Sequence, residues 1–210
     1  MMIVKIIIVF LIVIFSVILH ELAHGVVAFW LGDRTAKEMG RLSFNPLKHI
    51  DPYMSILVPV VLYMVGAPVF GGAKPVPINT RNLKFGEWGM SLVAVAGPLM
   101  NFFIALGAFL VGHFMGLIYT HSGWEFLCYQ IILTNLGFMI FNLLPIPPLD
   151  GSRILYTIVP DGVRNFLMMI EQYGIILIYV LILGLGPIFS GIMINSMEAV
   201  LRFFYWIVGA

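Results

Sequence analysis

The sequence predicts an all-α polytopic membrane protein. Of its 210 residues, 61% are hydrophobic and only 10% are charged, whereas a soluble domain carries about 25% charged residues. Long apolar runs recur along the chain, and a spanning helix needs about 20 residues of this kind. The first run also contains two histidines and a glutamate. Because ionisable groups are costly in hydrocarbon, these side chains are the first candidates for a functional site.

Five apolar segments are long enough to cross a bilayer, and a sixth is ambiguous. The five cover residues 3–31, 89–112, 126–144, 166–184 and 187–207. The sixth, residues 53–70, contains Pro59, Gly66 and Pro68, which suit a broken, re-entrant element buried against protein. We therefore expect about five transmembrane helices plus one re-entrant or sixth spanning segment.

The positions of Lys and Arg favour re-entry of residues 53–70, since cytoplasmic loops are enriched in basic residues. If this segment re-enters and the first helix ends in the cytoplasm, 10 of the 11 basic residues lie on the cytoplasmic side, and only Lys5 lies outside. If the segment spans, the same 11 residues divide into four inside and seven outside. The small chain suits the plasma membrane of a prokaryote.

Composition also limits the classes of function. The formal net charge of +1 gives no sign of a nucleic-acid partner. Cys128 is the single cysteine, so neither an intramolecular disulfide nor a cysteine metal cluster is expected. We interpret residues 1–210 as one integral membrane domain, whose apolar N-terminus is a retained first helix and not a cleaved signal peptide.

The most informative motif is HELAH at residues 20–24, inside the first apolar segment. Residues four apart share one face of an α-helix, so His20 and His24 can bind the same metal ion. Glu21 is rotated by about 100° from His20 and can sit beside the metal without being a ligand. There it could take a proton from a metal-bound water, whose pKa zinc lowers to about 7. The alternative is a helix end at which polar groups reach the interface.

A catalytic zinc site usually has three protein ligands and one open position. The candidates for the third ligand are the later acidic residues and histidines: His113, His121, Glu125, Asp150, Asp161, Glu171 and Glu198. We favour Asp150, because three prolines before it stop a regular helix. Broken backbone is tolerated at membrane depth only in a protein-lined cavity. An ordinary Asp-Gly turn is the alternative for this position.

The membrane topology favours the same residue independently. If residues 53–70 re-enter, Asp150 and the end of the first helix face the same side of the membrane. If the segment spans, they face opposite sides, and a shared zinc ion is hard to build. The charge distribution and the need for a third ligand therefore support the same arrangement.

The paired motifs resemble those of the site-2 protease family, the intramembrane zinc metalloproteases of peptidase family M50. HELAH is followed in order by PPLDG at residues 147–151, and AGPLMN at residues 96–101 matches the Gly-Pro-x-x-Asn motif of the family. NPLKHIDP at residues 45–52 and GAKPVPIN at residues 72–79 resemble the compact prokaryotic branch. The resemblance covers roughly residues 15–160.

The resemblance implies an intramembrane zinc endopeptidase that takes part in regulated intramembrane proteolysis. His20, His24 and Asp150 would ligate one zinc ion per chain, and Glu21 would be the general base. The substrate would be a transmembrane protein or peptide within the lipid bilayer, and the active site would face the cytoplasm. The catalytic core would cover about residues 3–160, with accessory C-terminal helices over 166–207.

Four further residues are candidates for substrate binding or support of the active site. The resemblance implies that Asn142 helps to hold substrate or the site near the metal, and that Asn101 packs or hydrogen-bonds near it. A polar residue in an apolar helix can equally join neighbouring helices, so a purely structural role for Asn101 stays open. Gly97 and Pro98 would permit a close approach or a kink of their helix.

Two non-proteolytic functions remain as alternatives: a metal-binding membrane adaptor and a metal transporter. An adaptor would not need the carboxylate of Glu21. A transporter would need polar residues on both sides of the site, whereas the outer halves of the predicted helices are almost uniformly apolar. The sequence does not indicate the oligomeric state.

Overall fold

The computed structural model describes residues 2–52, 73–120 and 122–209, together with the isolated positions 57 and 64. Within these residues the chain forms eight α-helices and no strand: α1 Met2–Trp30, α2 Thr35–Glu38, α3 Gly86–Phe114, α4 Gly123–Leu143, α5 Asp150–Ile158, α6 Asp161–Glu171, α7 Gly174–Gly184 and α8 Gly186–Ile207. Short 3₁₀ turns occur at Pro46–Lys48, Thr80–Asn82 and Leu117–Tyr119. The predicted all-helical fold is confirmed over this part of the chain.

Three of these helices are long and apolar enough to cross a membrane. They are α1, α3 and α4, with 29, 29 and 21 residues, and they correspond to the predicted segments 3–31, 89–112 and 126–144. At 1.5 Å per residue each exceeds the roughly 30 Å of a bilayer core. The structure thus agrees with a membrane protein that crosses the bilayer several times.

The predicted span over residues 166–184 is not confirmed as one continuous helix. The structure divides this stretch between α6 and α7, whose axes are bent by 89°. At the break, Glu171 ends α6 and forms an ion pair with Arg153. Gly174 begins α7 against Pro148, whose Cδ lies 2.6 Å from the place that a Cβ would take. Polar pairing and close packing therefore turn the chain before the apolar run is complete.

The predicted number of about five spans is not confirmed. Residues 186–207 do form one helix, α8, but its polar side chains Asn195, Glu198 and Arg202 make it less apolar than the other three. Over the described residues the structure has three candidate spans, or four if α6 and α7 form one broken span. The proposed re-entrant segment, residues 53–70, lies outside the described residues except at positions 57 and 64.

Helix α3 is central to the bundle and packs against α1, α4 and α5. One buried apolar cluster joins α3, α4 and α8 and includes Ala105, Phe109, Ile132, Leu136 and Phe204. Contacts between spanning helices depend on close packing, because lipid is as apolar as the side chains. Helices α1 and α5 both pack against α3, and the candidate site lies between them.

Candidate metal centre

Helix α1 brings the two histidines of HELAH together on one face. His20 and His24 are both buried, and their Nε2 atoms lie 3.0 Å apart. Their ring planes are nearly perpendicular, with the centroids 4.6 Å apart. The one-turn spacing that the sequence predicts is therefore present, with both Nε2 atoms directed to one point.

Asp150 reaches the same point from the start of α5. Its Oδ2 lies 3.2 Å from His20 Nε2 and 3.3 Å from His24 Nε2. The next residue, Gly151, lies so close to the end of α4 that a Cβ there would come within 2.3 Å of Leu143 O. The tight turn after α4 thus requires glycine after Asp150. This turn places the Asp150 carboxylate opposite α1.

The hydrogen bonds of both rings determine which ring nitrogen carries the proton. His24 Nδ1 lies 2.7 Å from Val93 O, and a carbonyl only accepts, so the proton of a neutral His24 is on Nδ1. His20 Nδ1 lies 2.6 Å from Asn101 Oδ1. If that oxygen accepts from His20, the Nε2 atoms of both neutral imidazoles carry free lone pairs.

A chain of amides fixes the orientation of Asn101. Asn135 Nδ2 donates to Ile131 O at 2.8 Å and to Ser16 Oγ at 2.9 Å. Since Ile131 O only accepts, Asn135 must present its oxygen to Asn101, whose Nδ2 donates to it at 2.8 Å. Asn101 then turns its own oxygen to His20. Neither Asn135 nor Ser16 was identified from the sequence.

The three converging atoms fit a zinc ion. The Nε2 atoms of His20 and His24 and the Oδ2 atom of Asp150 lie 3.0–3.3 Å from one another. With both ring protons on Nδ1, no proton lies between these three atoms. A tetrahedral zinc ion with ligand bonds of about 2.0–2.1 Å would separate its ligand atoms by about 3.3 Å. Asp150 Oδ2 is also buried without a hydrogen bond, which is costly unless a cation is present. Among the described residues, this is the one cluster of metal-ligating side chains.

The structure does not bring the other candidates for the third ligand to this centre. Glu171 pairs with Arg153, and Asp161 pairs with Arg164 at 3.3 Å. His113 hydrogen-bonds to Tyr119 Oη at 3.0 Å, and His121 is outside the described residues. Glu125 and Glu198 are likewise absent from the cluster.

The supporting residues differ in how closely they approach the site. Asn101 is completely buried and contacts His20, as described above. Asn142 instead donates to Phe138 O at 3.0 Å on its own helix, so its predicted role at the site stays a prediction. Pro98 is buried within α3, where it cannot donate to the carbonyl four residues before.

Gly97 forms the wall of the metal centre on α3. A Cβ at this position would lie 2.4 Å from His24 Nε2 and 2.6 Å from His20 Cε1, closer than any real contact of this kind. Glycine is therefore required here for space, which explains how α3 can carry Asn101 and Val93 O so near the two rings.

We expect Gly97→Ala to weaken zinc binding at least tenfold, because the added methyl group displaces both ligating rings. The measurement is the zinc affinity of the purified protein in detergent by competition with a fluorescent chelator. Gly107→Ala is the matched control, since Gly107 lies on the same helix and a Cβ there meets nothing within 4 Å. Equal affinity in the two variants would contradict this account of Gly97.

Glu21 lies beside the three converging atoms and is not one of them. Its Oε2 accepts a hydrogen bond from Val76 N at 2.8 Å, and no ligand contact is seen for it in the described residues. That Glu21 sits next to the metal without binding it stays a prediction. A carboxylate in that position can exchange a proton with a neighbouring water molecule.

The fold and the site define a helical protein with candidate membrane spans and a cluster of side chains that could hold a metal ion, two of them on an apolar helix. The sequence model of Peptidase family M50 matches residues 116–185. YwhC of Bacillus subtilis strain 168, assigned as a zinc metalloprotease, is 39% identical over 201 residues, covering 90% of this chain and 87% of YwhC. This chain belongs to peptidase family M50. The family that the paired motifs predicted is therefore confirmed. The predicted enzyme class, a zinc metalloprotease, is confirmed as well.

Relatives of lower sequence identity also carry the name zinc metalloprotease. Rip2 of Mycolicibacterium smegmatis, also assigned as a zinc metalloprotease, is 30% identical over 80% of this chain, which covers 63% of Rip2. Zinc metalloprotease MJ0392 of Methanocaldococcus jannaschii is 29% identical over 71% of this chain, which covers 33% of that protein. This chain thus spans less than two thirds of either relative. No solved structure matches it significantly.

Proposed function

We propose that this protein is an intramembrane zinc endopeptidase that hydrolyses peptide bonds in or near transmembrane segments of other membrane proteins. The observation that carries this proposal is the convergence of His20, His24 and Asp150 within 3.3 Å, with Glu21 beside them. The helix that supplies three of these residues is apolar enough to cross a membrane. Substrate bonds at the same depth would therefore belong to a membrane-embedded segment.

The residues of this chain divide the chemical work between them. His20, His24 and Asp150 would hold a zinc ion, and that ion would supply the Lewis acidity that activates water and polarises the scissile carbonyl. Glu21 accepts one proton from the attacking water while the water oxygen bonds to the scissile carbonyl carbon. Glu21 then returns that proton to the leaving amine nitrogen as the C–N bond breaks. Water is thereby added across the peptide bond, with Glu21 restored.

The site also suits proteolysis because it fixes its histidines before any substrate arrives. Both Nδ1 atoms have buried acceptors, Val93 O and Asn101 Oδ1. Such partners hold ligating rings in one orientation and one tautomer, and their loss typically costs 10- to 100-fold in metal affinity or activity. Only small motions of the ligands would then accompany each turnover.

The orientation in the membrane follows from charge. With α1 ending in the cytoplasm, the basic loop residues after it lie inside, as the positive-inside rule favours. We therefore place the site toward the cytoplasmic face of a prokaryotic plasma membrane. A cysteine introduced at Arg81, with Cys128 replaced by Ala, should react with a membrane-impermeant maleimide only from the cytoplasmic side; reaction only from outside would reverse the orientation.

The experiment that tests the function is proteolysis in reconstituted vesicles of phosphatidylcholine and phosphatidylglycerol. The probe is a fluorescent protein fused to one apolar segment of about 20 residues with a Gly-Pro break, since proline opens helical hydrogen bonds. We expect cleavage within or beside this segment, loss of cleavage with 1,10-phenanthroline and recovery with added zinc. The non-chelating 1,7-isomer is the matched control. Cleavage that survives chelation would contradict a zinc mechanism.

A further inference from the structure

The loop of residues 74–82 packs against the end of α1 beside the metal centre. Val76 N–H donates to Glu21 Oε2 at 2.8 Å, although the two residues are 55 positions apart in sequence. Val76 is only 5% exposed, so this hydrogen bond is shielded from water. Within the described part of the chain, Val76 is the one hydrogen-bond donor to the Glu21 carboxylate. One backbone amide therefore contacts the residue proposed as general base.

The sequence around Val76 permits only one register of this contact. Pro75 and Pro77 have no N–H to donate, so Val76 carries the only amide hydrogen across residues 75–77. A shift of the loop by one residue in either direction would leave Glu21 opposite a proline. The two prolines thus select Val76 as the donor.

The start of the loop is fixed by backbone contacts from the preceding polar region. Arg41 is buried, and its Nη2 donates to Lys74 O at 2.8 Å and to Pro75 O at 3.2 Å. Lys74 N donates to His49 O at 2.8 Å. These three hydrogen bonds hold the backbone immediately before Val76.

The end of the loop is fixed by Asp33, just after α1. Its carboxylate accepts from Asn79 N at 2.7 Å, from Asn82 Nδ2 at 3.2 Å and from Thr35 N at 3.1 Å. Burial raises the pKa of Asp33, but the hydrogen bonds outweigh it and hold the pKa of this carboxyl below its ordinary value. Asp33 is therefore ionised at neutral pH and binds the loop to the helix that carries Glu21.

We propose that Val76 is a positioning residue for Glu21, whose Oε2 is held by the Val76 N–H so that Oε1 is directed to the attacking water. This inference rests on the proposed function, in which Glu21 is the general base. Among the described residues, this N–H donates a hydrogen bond to Glu21 and to none of His20, His24 and Asp150. Its loss should therefore lower kcat and leave zinc content and KM close to those of the wild type.

The kinetic test compares variants that differ in one backbone hydrogen. Val76→Pro removes the N–H, whereas Val76→Ala shortens the side chain and keeps it. We expect kcat of Val76→Pro to be roughly 10- to 100-fold below that of Val76→Ala, the usual effect of losing a hydrogen bond to a charged group. Ile78→Pro controls for the added proline, because the N–H of Ile78 donates no hydrogen bond among the described residues. Equal kcat in Val76→Pro and Val76→Ala would overturn the proposal.

A second measurement does not depend on activity or on the folding of the proline variant. Amide hydrogen exchange of the labelled protein in micelles should be at least tenfold faster at Val76 in Glu21→Ala than in the wild type. The Lys74 amide, which donates to His49 O, should be unchanged. Unchanged exchange at Val76 would overturn the proposal. For turnover, amide-to-ester replacement at position 76 removes the same N–H and keeps the valine side chain.

The results separate this inference from the proposed function. Cleavage that is lost in Glu21→Gln but equal in Val76→Pro and Val76→Ala would remove the positioning role and leave the protease standing. A zinc-loaded wild type without proteolysis would contradict the function. The exchange rate at Val76 would then still decide whether this hydrogen bond forms.

Discussion

Glu21→Gln is expected to lower kcat by about 10²- to 10⁴-fold, the usual contribution of a general base, and to leave zinc content at one per chain. The amide has nearly the shape of the carboxylate and still offers an oxygen to Val76 N–H, so the geometry of α1 should persist. What is lost is the ability to accept a proton from water. The measurement pairs cleavage rates in vesicles with metal analysis of the same samples.

The Glu21→Gln substitution also distinguishes between the proposed protease and the non-proteolytic alternatives. A metal-binding adaptor or a transporter has no need of this carboxylate, so either should tolerate the amide with little loss of its own activity. Glu38→Gln is the matched control, because Glu38 is an exposed carboxylate on α2. Wild-type turnover in Glu21→Gln would remove Glu21 as the general base.

Asp150→Ala is expected to reduce zinc affinity by more than about 100-fold, since removal even of a residue that merely orients a ligand costs 10- to 100-fold. Only two imidazoles would remain, and three protein ligands are usual for a catalytic zinc ion. Among the described residues, Asp150 Oδ2 also supplies the one negative charge within 3.3 Å of both rings. The measurement is zinc per chain in the purified protein, together with competition for zinc by a chelator.

Asp161→Ala is the matched control for Asp150→Ala. Asp161 is an acidic residue at the start of the next helix, its carboxylate is 87% exposed, and it lies outside the metal cluster. We expect its zinc content to equal that of the wild type. Full zinc occupancy in Asp150→Ala would exclude Asp150 as the third ligand. It would also remove one of the three reasons for a re-entrant path over residues 53–70.

The local parts of the site could be predicted from the sequence because helical periodicity is a local rule. The four-residue spacing of His20 and His24 places both rings on one face in any α-helix, and the structure has them there. Asp150 could be nominated from the broken backbone before it. Its position 3.2 Å from His20, however, depends on the tight return at Gly151 and on the packing of α5 against α3.

The extent of the membrane-spanning part was less predictable. Apolar length alone suggested one helix over residues 166–184, but the pairing of Glu171 with Arg153 and the contact of Gly174 with Pro148 divide it. A partner for Glu171 that lies 18 residues away in sequence cannot be recognised by a hydropathy window. A hydropathy window reports the composition of one segment and carries no information about the residues that pack against that segment in space.

By itself the sequence determined the helical membrane class, the pair of histidines with Glu21 between them and the family to which the chain belongs. Each of these depends on composition, on spacing within one turn or on motifs in order. Only the tertiary structure decided which groups complete the site: the amides of Asn101 and Asn135, and the N–H of Val76. These contacts join positions between 34 and 81 residues apart, and the packing of helices and loops, not local preference, brings them together.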